Sequence, residues 1–227
     1  MALETSGRVG SLAAFRTERD NVEVVDSQVL PGDQRSAQSL LPAIGELLKT
    51  CRWRAGELDL VCTTTGPGSF TGLRIGVTTA KTLAYATGAK LVGVHTLAAI
   101  AAATGATAER VWAILDAQRQ ELFAASFPPR WQNDGGFLPE TVVVGVDAWL
   151  AQLGAGDLVS GPPLEKLSGR LPPGVLAADA ALWFPAAEVV ARLGAAALRR
   201  GEEIDPMQFA PHYFRPSAAE EKAQSRR

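Results

Sequence analysis

The stretch Gly66-Pro67-Gly68-Ser69-Phe70-Thr71-Gly72-Leu73-Arg74-Ile75-Gly76 constrains this chain more than any other. It follows an apolar, strand-like run, Leu58-Asp59-Leu60-Val61-Cys62, and opens a helical run from Thr71 to Thr87. Two glycines and a proline within three residues make a turn. Ser69 is placed to N-cap the helix, because its hydroxyl can accept a free amide of the first turn.

The helix is unusual in its small residues. Gly72, Gly76, Ala80 and Ala84 recur every fourth position and so share one face. Each glycine inside a helix costs roughly 0.5–1 kcal/mol relative to alanine. Accepting that cost twice implies that something approaches the backbone closely, either a packed element or a ligand. Leu73, Val77 and Leu83 lie on adjoining faces and can fill a core, so the spacing predicts a helix with two contact surfaces.

With 227 residues the chain is one large domain or two small ones. A net charge of −2 supplies no basic field that would draw in nucleic acid unaided. Lys222, Arg226 and Arg227 read as a solvated tail. Cys51 and Cys62 cannot build a disulfide framework, and Cys62 reads as a small buried residue. The sequence shows no charged-then-apolar leader and no apolar run of membrane-spanning length. A cytoplasmic protein with reduced thiols is the expectation.

Met1 to Glu4, Val9 to Arg16 and Val22 to Leu30 read as strands, and Pro31-Gly32-Asp33 as a turn. Ala37, Leu40, Leu41, Ile44, Leu47 and Leu48 follow the helical period, with Pro42 expected to start or kink the regular helix. A strand over Leu58 to Thr64, the Thr71 helix, a strand over Lys90 to Val94 and an Ala-rich helix over Leu97 to Ala103 follow. Then the beginning repeats. Ala2-Leu3-Glu4 and Leu12-Ala13-Ala14-Phe15 can be laid on Ile114-Leu115-Asp116 and Ala124-Ala125-Ser126-Phe127. Such a repeat is what an internal duplication leaves, and it places a boundary near Thr104-Gly105-Ala106. Beyond a loop from Pro128 to Gly136, Val142 to Val144, Leu158 to Ser160 and Val175 to Ala178 are short strand candidates. Pro185 to Arg200 is an amphipathic helix, and residues 216–227 read as a disordered tail.

Gly66 to Gly76 and the following Thr78-Thr79-Ala80-Lys81-Thr82-Leu83-Ala84 resemble the signature of the bacterial TsaB (YeaZ) family. The resemblance extends loosely through Leu3-Glu4-Thr5-Ser6, Leu40-Leu41-Pro42, Val92-Gly93-Val94, Leu115-Asp116-Ala117-Gln118-Arg119 and Pro211-His212-Tyr213-Phe214-Arg215. Together with the repeat it implies an α/β, actin-like ATPase (ASKHA) fold of two duplicated βββαβα-type subdomains. Residues 1–104 would carry the partner-binding helices and 105–215 the second subdomain. The resemblance further implies a non-catalytic subunit of the machinery that makes N6-threonylcarbamoyladenosine beside the anticodon of tRNA. Its partners would be a catalytic TsaD-type paralogue and a TsaE-type ATPase, with tRNA met mainly through the complex. Self-pairing through the same helices stays open when the paralogue is absent. The candidate partner interface is Leu40, Leu41, Ile44, Thr71, Gly72, Arg74, Ile75, Gly76, Thr79 and Ala80.

In actin-like ATPases, acids at the ends of the first strand of each half surround a nucleotide and Mg²⁺. Glu4 and Asp116 stand there, but two strand-end acids that hydrogen-bond turn amides are the favoured reading, since the phosphate turns of active members are richer in Gly, Ser and Thr than Gln118-Arg119-Gln120-Glu121. Gly66 to Ser69 before a helix could cradle an anion, yet no Walker lysine follows. No cofactor is expected in the isolated chain, with ATP or ADP at the partner interface left open. No metal is expected either. His95 and His212 lack a second ligand at helical spacing, and the His-x-x-x-His pair of TsaD-type proteins is replaced by Ser36 to Leu40 and Val77 to Lys81. His95, between a strand and a helix, reads as a capping or interface residue. Many TsaB-like chains carry a histidine before Leu-Leu-Pro; Ser36 stands nearest to it here. Ser69 shows no triad partners. Protease activity is disfavoured, and an ATP-dependent kinase or nucleotide hydrolase on the same fold is the rival.

Overall fold

Two five-stranded sheets of identical strand order carry the chain. The computed structural model describes residues 1–19, 21–30, 36–105, 108–129, 131 and 140–215, the side chains of 36 and 37 aside. The turn expected at Pro31-Gly32-Asp33, most of the Pro128 to Gly136 loop, the boundary residue Ala106 and the 216–227 tail lie outside the described residues.

The first sheet contains β1 (Ala2–Glu4), β2 (Ser11–Glu18), β3 (Asn21–Val29), β4 (Leu60–Gly66) and β5 (Lys90–His95), in the order β3-β2-β1-β4-β5. The second contains β6 (Arg110–Gln118), β7 (Glu121–Phe127), β8 (Val142–Gly145), β9 (Asp157–Ser160) and β10 (Leu176–Ala177), in the order β8-β7-β6-β9-β10. In each, the first three strands pair antiparallel and the last two join in parallel. The duplication is therefore a property of the topology. The pairing register is one residue out of step between the halves. Leu3 faces Leu12, whereas Leu115 faces Phe123. A bulge between Asp116 and Gln118 and a tight Gln118–Glu121 connection absorb the difference.

Among the described residues six α-helices complete the layers: α1 (Ser36–Cys51), α2 (Phe70–Thr87), α3 (Thr96–Ala103), α4 (Val146–Leu150), α5 (Leu164–Leu167) and α6 (Ala187–Arg199). Pro42 does not start α1; six helical residues precede it. Its ring and the carbonyl it leaves unbonded are tolerable because the position is exposed to water. Ser69 caps α2 as expected, accepting the Gly72 amide at 3.2 Å.

β4 is buried along its whole length, because helices cover both of its faces. On one face α1 and α2 pack Leu40, Ile44, Leu47, Val77 and Ala80 against Leu3, Leu12 and Val61. On the other, α6 packs Val190, Ala191 and Ala195 against Ala13, Cys62 and Val94. A Cβ at Gly194 would lie 2.2 Å from the Cys62 sulfur, so α6 rides directly on the strand. One sheet is built from residues 2–95 and the other from 110–177, but the helices are not shared out in that way. α6 follows the strands of the second sheet yet covers the first, while α3 follows those of the first and packs Leu97 and Ile100 against Val111 and Phe127 of the second.

Candidate partner-docking face

The small-residue stripe of α2 faces inward. Gly72, Gly76 and Ala80 are all buried. The element approaching them is the turn after β1. The Thr5 hydroxyl donates to the Gly72 carbonyl at 2.9 Å, and the Ser69 amide donates to the Ser6 carbonyl at 2.7 Å. A Cβ at Gly72 would fall 2.0 Å from the Thr5 carbonyl oxygen, and one at Gly76 would fall 2.1 Å from the Thr5 hydroxyl. Gly72, Gly76 and Ala80 therefore leave the expected partner interface. Leu40 and Ile44 leave it too, at 1% and 5% exposed in the first core. Of the periodic residues of α1, Leu40, Ile44, Leu47 and Leu48 are buried in the first core, whereas Leu41 faces outward.

The outward residues of the same two helices remain. Leu41 is 66% exposed. Thr71 and Arg74 are exposed, and Ile75 and Thr79 half-buried. Leu40, Leu41, Arg74, Ile75, Thr78 and Thr79 line an open groove of about 290 Å³ between α1 and α2. At its end the Phe70 ring, exposed at the first position of α2, stacks on Tyr213 with centroids 4.9 Å apart. The Arg74 guanidinium lies 5.3 Å from the Phe70 centroid, a cation–π arrangement. Phe70, Thr78 and Tyr213 stand outside the expected interface set, although the family resemblance runs through all three. The available signals were a phenylalanine at the exposed start of the helix and a polar-flanked Tyr-Phe pair near the end.

The strand-end acids serve turns. Glu4 is fully buried, and one carboxylate oxygen accepts from the Ser6 amide at 2.7 Å, the Ser6 hydroxyl and the Thr64 hydroxyl at 3.4 Å. Its other oxygen has no hydrogen-bond partner among the described residues. Burial pushes the carboxyl up to about 7, against the opposing pull of those donors. Asp116 is exposed and accepts the Gln118 amide at 2.7 Å. The Ser69 amide of the Gly-Pro-Gly-Ser turn bonds the Ser6 carbonyl, and the Gly72 amide in the first turn of α2 bonds the Ser69 hydroxyl. This geometry favours the backbone-turn reading over the kinase or hydrolase alternative.

His95 occupies the N-cap position of α3, but its side chain makes no cap hydrogen bond. Its Nε2 pairs with the Thr141 hydroxyl at 2.9 Å, and its ring meets Phe214 edge-on at 5.5 Å. It is a contact between halves, held neutral because burial lowers its pKa to about 4. His212 contributes its backbone, donating to the Thr65 carbonyl. Among the described residues no three His, Cys, Asp or Glu side chains converge on a metal position, and no helix is long and apolar enough to cross a membrane.

A family model described as TsaD, tRNA N6-adenosine threonylcarbamoyltransferase, matches residues 26–154, a span that contains both α1 and α2. The chain is 29% identical to the tRNA threonylcarbamoyladenosine biosynthesis protein TsaB of Escherichia coli, over 98% of this chain and 96% of that one. It is 28% identical to the Bacillus subtilis protein of the same name, over 63% of this chain and 58% of that one. The solved structure of YeaZ from Pseudomonas aeruginosa superposes with a TM-score of 0.74 at 26% identity, covering 94% of this chain and 98% of that one.

Proposed function

This chain belongs to the tRNA N6-adenosine threonylcarbamoyltransferase family, in its TsaB/YeaZ group, and from that premise we propose that it is the supporting, non-catalytic subunit of a threonylcarbamoyladenosine synthesis complex. It acts in the cytoplasm by docking a TsaD-type paralogue, which carries the transfer chemistry, and a TsaE-type ATPase joins the pair. The isolated chain holds no nucleotide of its own; ATP or ADP belongs at the joint with the partner. Without the paralogue, the same face pairs two copies of this chain.

The observation that carries this reading is the outward side of α1 and α2. Leu41, 66% exposed, and Ile75 flank a groove with Arg74 at its edge. Exposed apolar surface rimmed by polar groups is what a protein partner covers. The positions where actin-like enzymes hold phosphates and metal are engaged here with Ser6, Thr64 and Gln118.

Reconstitution tests the proposal. The purified chain, a TsaD-type paralogue and a TsaE-type ATPase are combined with tRNA and threonylcarbamoyl-adenylate, and modified adenosine is quantified. The expected result is no product from this chain alone, little from the paralogue alone and sustained product from the mixture. Turnover by the single chain, or a mixture no better than the paralogue, overturns the reading.

A further inference from the structure

After α6 the chain returns across both halves. The Ile204 amide donates to the Leu91 carbonyl at 2.9 Å. Phe209 enters the first core, and Lys81 of α2 reaches its carbonyl at 3.3 Å. The His212 amide donates to the Thr65 carbonyl at 2.8 Å. Gly66 makes room for this passage: its φ is +130°, and a Cβ there would lie 2.5 Å from the His212 carbonyl oxygen. The next three side chains diverge. Tyr213 stacks on Phe70. Phe214 sets its ring against His95 and, at 6.4 Å, Phe123. Arg215 donates to the Ala117 carbonyl and pairs with Glu121.

Ala117 and Glu121 bracket an unusual turn. Gln118, Arg119 and Gln120 have φ of 64°, 53° and 61°. Side-chain-bearing residues in the left-handed region are strained and persist where surroundings over-determine them. Arg215 supplies part of that determination, with a charge-assisted bond on one side of the turn and a carbonyl bond on the other. Two residues before Arg215, Tyr213 covers one face of Phe70 while Arg74 lies over the ring.

We propose that residues 211–215 are a strap that couples the strained turn of the second half to the docking face of the first, with Arg215 as the latch and Tyr213 as the positioning residue for Phe70 and Arg74. The inference rests on the reading of the α1–α2 face as the site that meets a TsaD-type paralogue. Removing the Tyr213 ring frees Phe70 to change rotamer, and Arg74 then loses its stacking surface. Removing Arg215 loosens the strap from the far side, without touching the face.

The test compares full-length wild type with Arg215→Ala, Arg215→Lys, Tyr213→Ala and Tyr213→Phe. Two quantities are measured: amide hydrogen exchange at His212 and Leu73, whose amides bond Thr65 and Ser69, and calorimetric affinity for the paralogue. Arg215→Ala is expected to speed exchange at both amides ~10-fold and to weaken binding about fivefold. Arg215→Lys, which keeps charge but not the fork, should fall between it and wild type; it also serves if the alanine variant does not fold. Tyr213→Ala should weaken binding ~10-fold while Tyr213→Phe stays within about twofold, since the stack survives without the hydroxyl. Unchanged exchange at both amides in both Arg215 variants overturns the strap. Wild-type affinity in Tyr213→Ala overturns the positioning role. If wild type itself does not bind the paralogue, the docking reading and the Tyr213 role fall together, and the exchange measurements still decide the coupling.

Discussion

Gly76 and Thr5 are so close that a Cβ on the glycine would sit 2.1 Å from the Thr5 hydroxyl oxygen. That hydroxyl cannot swing aside freely, because it donates to the Gly72 carbonyl and Thr5 is wholly buried. Gly76→Ala would gain up to about 1 kcal/mol of helix propensity. It would meet an overpacking cost of about 1–3 kcal/mol. The clash should win. We expect a lowered urea midpoint for Gly76→Ala and failure to fold for Gly76→Leu. An alanine variant as stable as wild type would mean that the β1 turn yields easily, against the packing described.

The docking face makes a different prediction, because its residues are exposed. Leu41→Asp and Arg74→Glu should each weaken paralogue binding ~10-fold or more if they lie near the centre of the interface. Each should leave stability within about 0.5 kcal/mol. Leu40→Asp is the contrasting variant: one position earlier, at 1% exposed, it should unfold the chain. Calorimetric titration beside thermal melts separates the two effects. Normal binding by both surface variants would move the docking site elsewhere.

The contrast between Leu40 and Leu41 also shows what the sequence could reveal. Period and capping residues made α1 and α2 legible, and the repeat of Glu4 and Phe15 in Asp116 and Phe127 announced two similar halves. Spacing assigns residues to a face; it does not say what the face meets. The Gly72–Gly76–Ala80 face meets Thr5, whose approach depends on a turn between β1 and β2 that has no periodic signal. The Gln118–Gln120 turn was hidden for another reason. Left-handed residues are usually announced by Gly, Asn or Asp, and here the conformation sits beside a tertiary contact from Arg215, nearly a hundred residues away. The docking of α6 on the first sheet was equally opaque, since an apolar helix face does not name its strand.

That docking can be tested at Gly194 and Cys62. A Cβ on Gly194 would meet the Cys62 sulfur at 2.2 Å and its Cβ at 2.8 Å. Gly194→Ala should destabilise by about 1–3 kcal/mol. Adding Cys62→Ala removes the sulfur and should recover part of that loss, giving a coupling energy of about 0.5–2 kcal/mol in a double-mutant cycle. Strict additivity in chemical denaturation would show that α6 does not press on β4 at this point.

Glu4 sets the last prediction, a dependence on pH. Its carboxyl is raised from 4.5 to about 7 in the folded protein, chiefly by burial. A raised folded value means that the native state holds the proton more tightly than the unfolded chain. The associated stability is therefore full below about pH 4.5, declines as pH rises, and is gone above about pH 7. At 1.36 kcal/mol per pKa unit the swing is about 3 kcal/mol. His95 works in the opposite direction. Its lowered value, about 4, makes stability fall as pH drops below about 6.5, so the raw curve of wild type mixes the two. Glu4→Gln removes only the first. Gln can still accept from Ser6 and Thr64, and it carries no charge at any pH. The difference in urea-unfolding free energy between variant and wild type should thus grow in favour of the variant from pH 5 to pH 8, cancelling the His95 contribution. A difference that stays flat over that range would mean that Glu4 ionises normally inside the fold, with water or a cation reaching the carboxylate oxygen that lacks a protein partner.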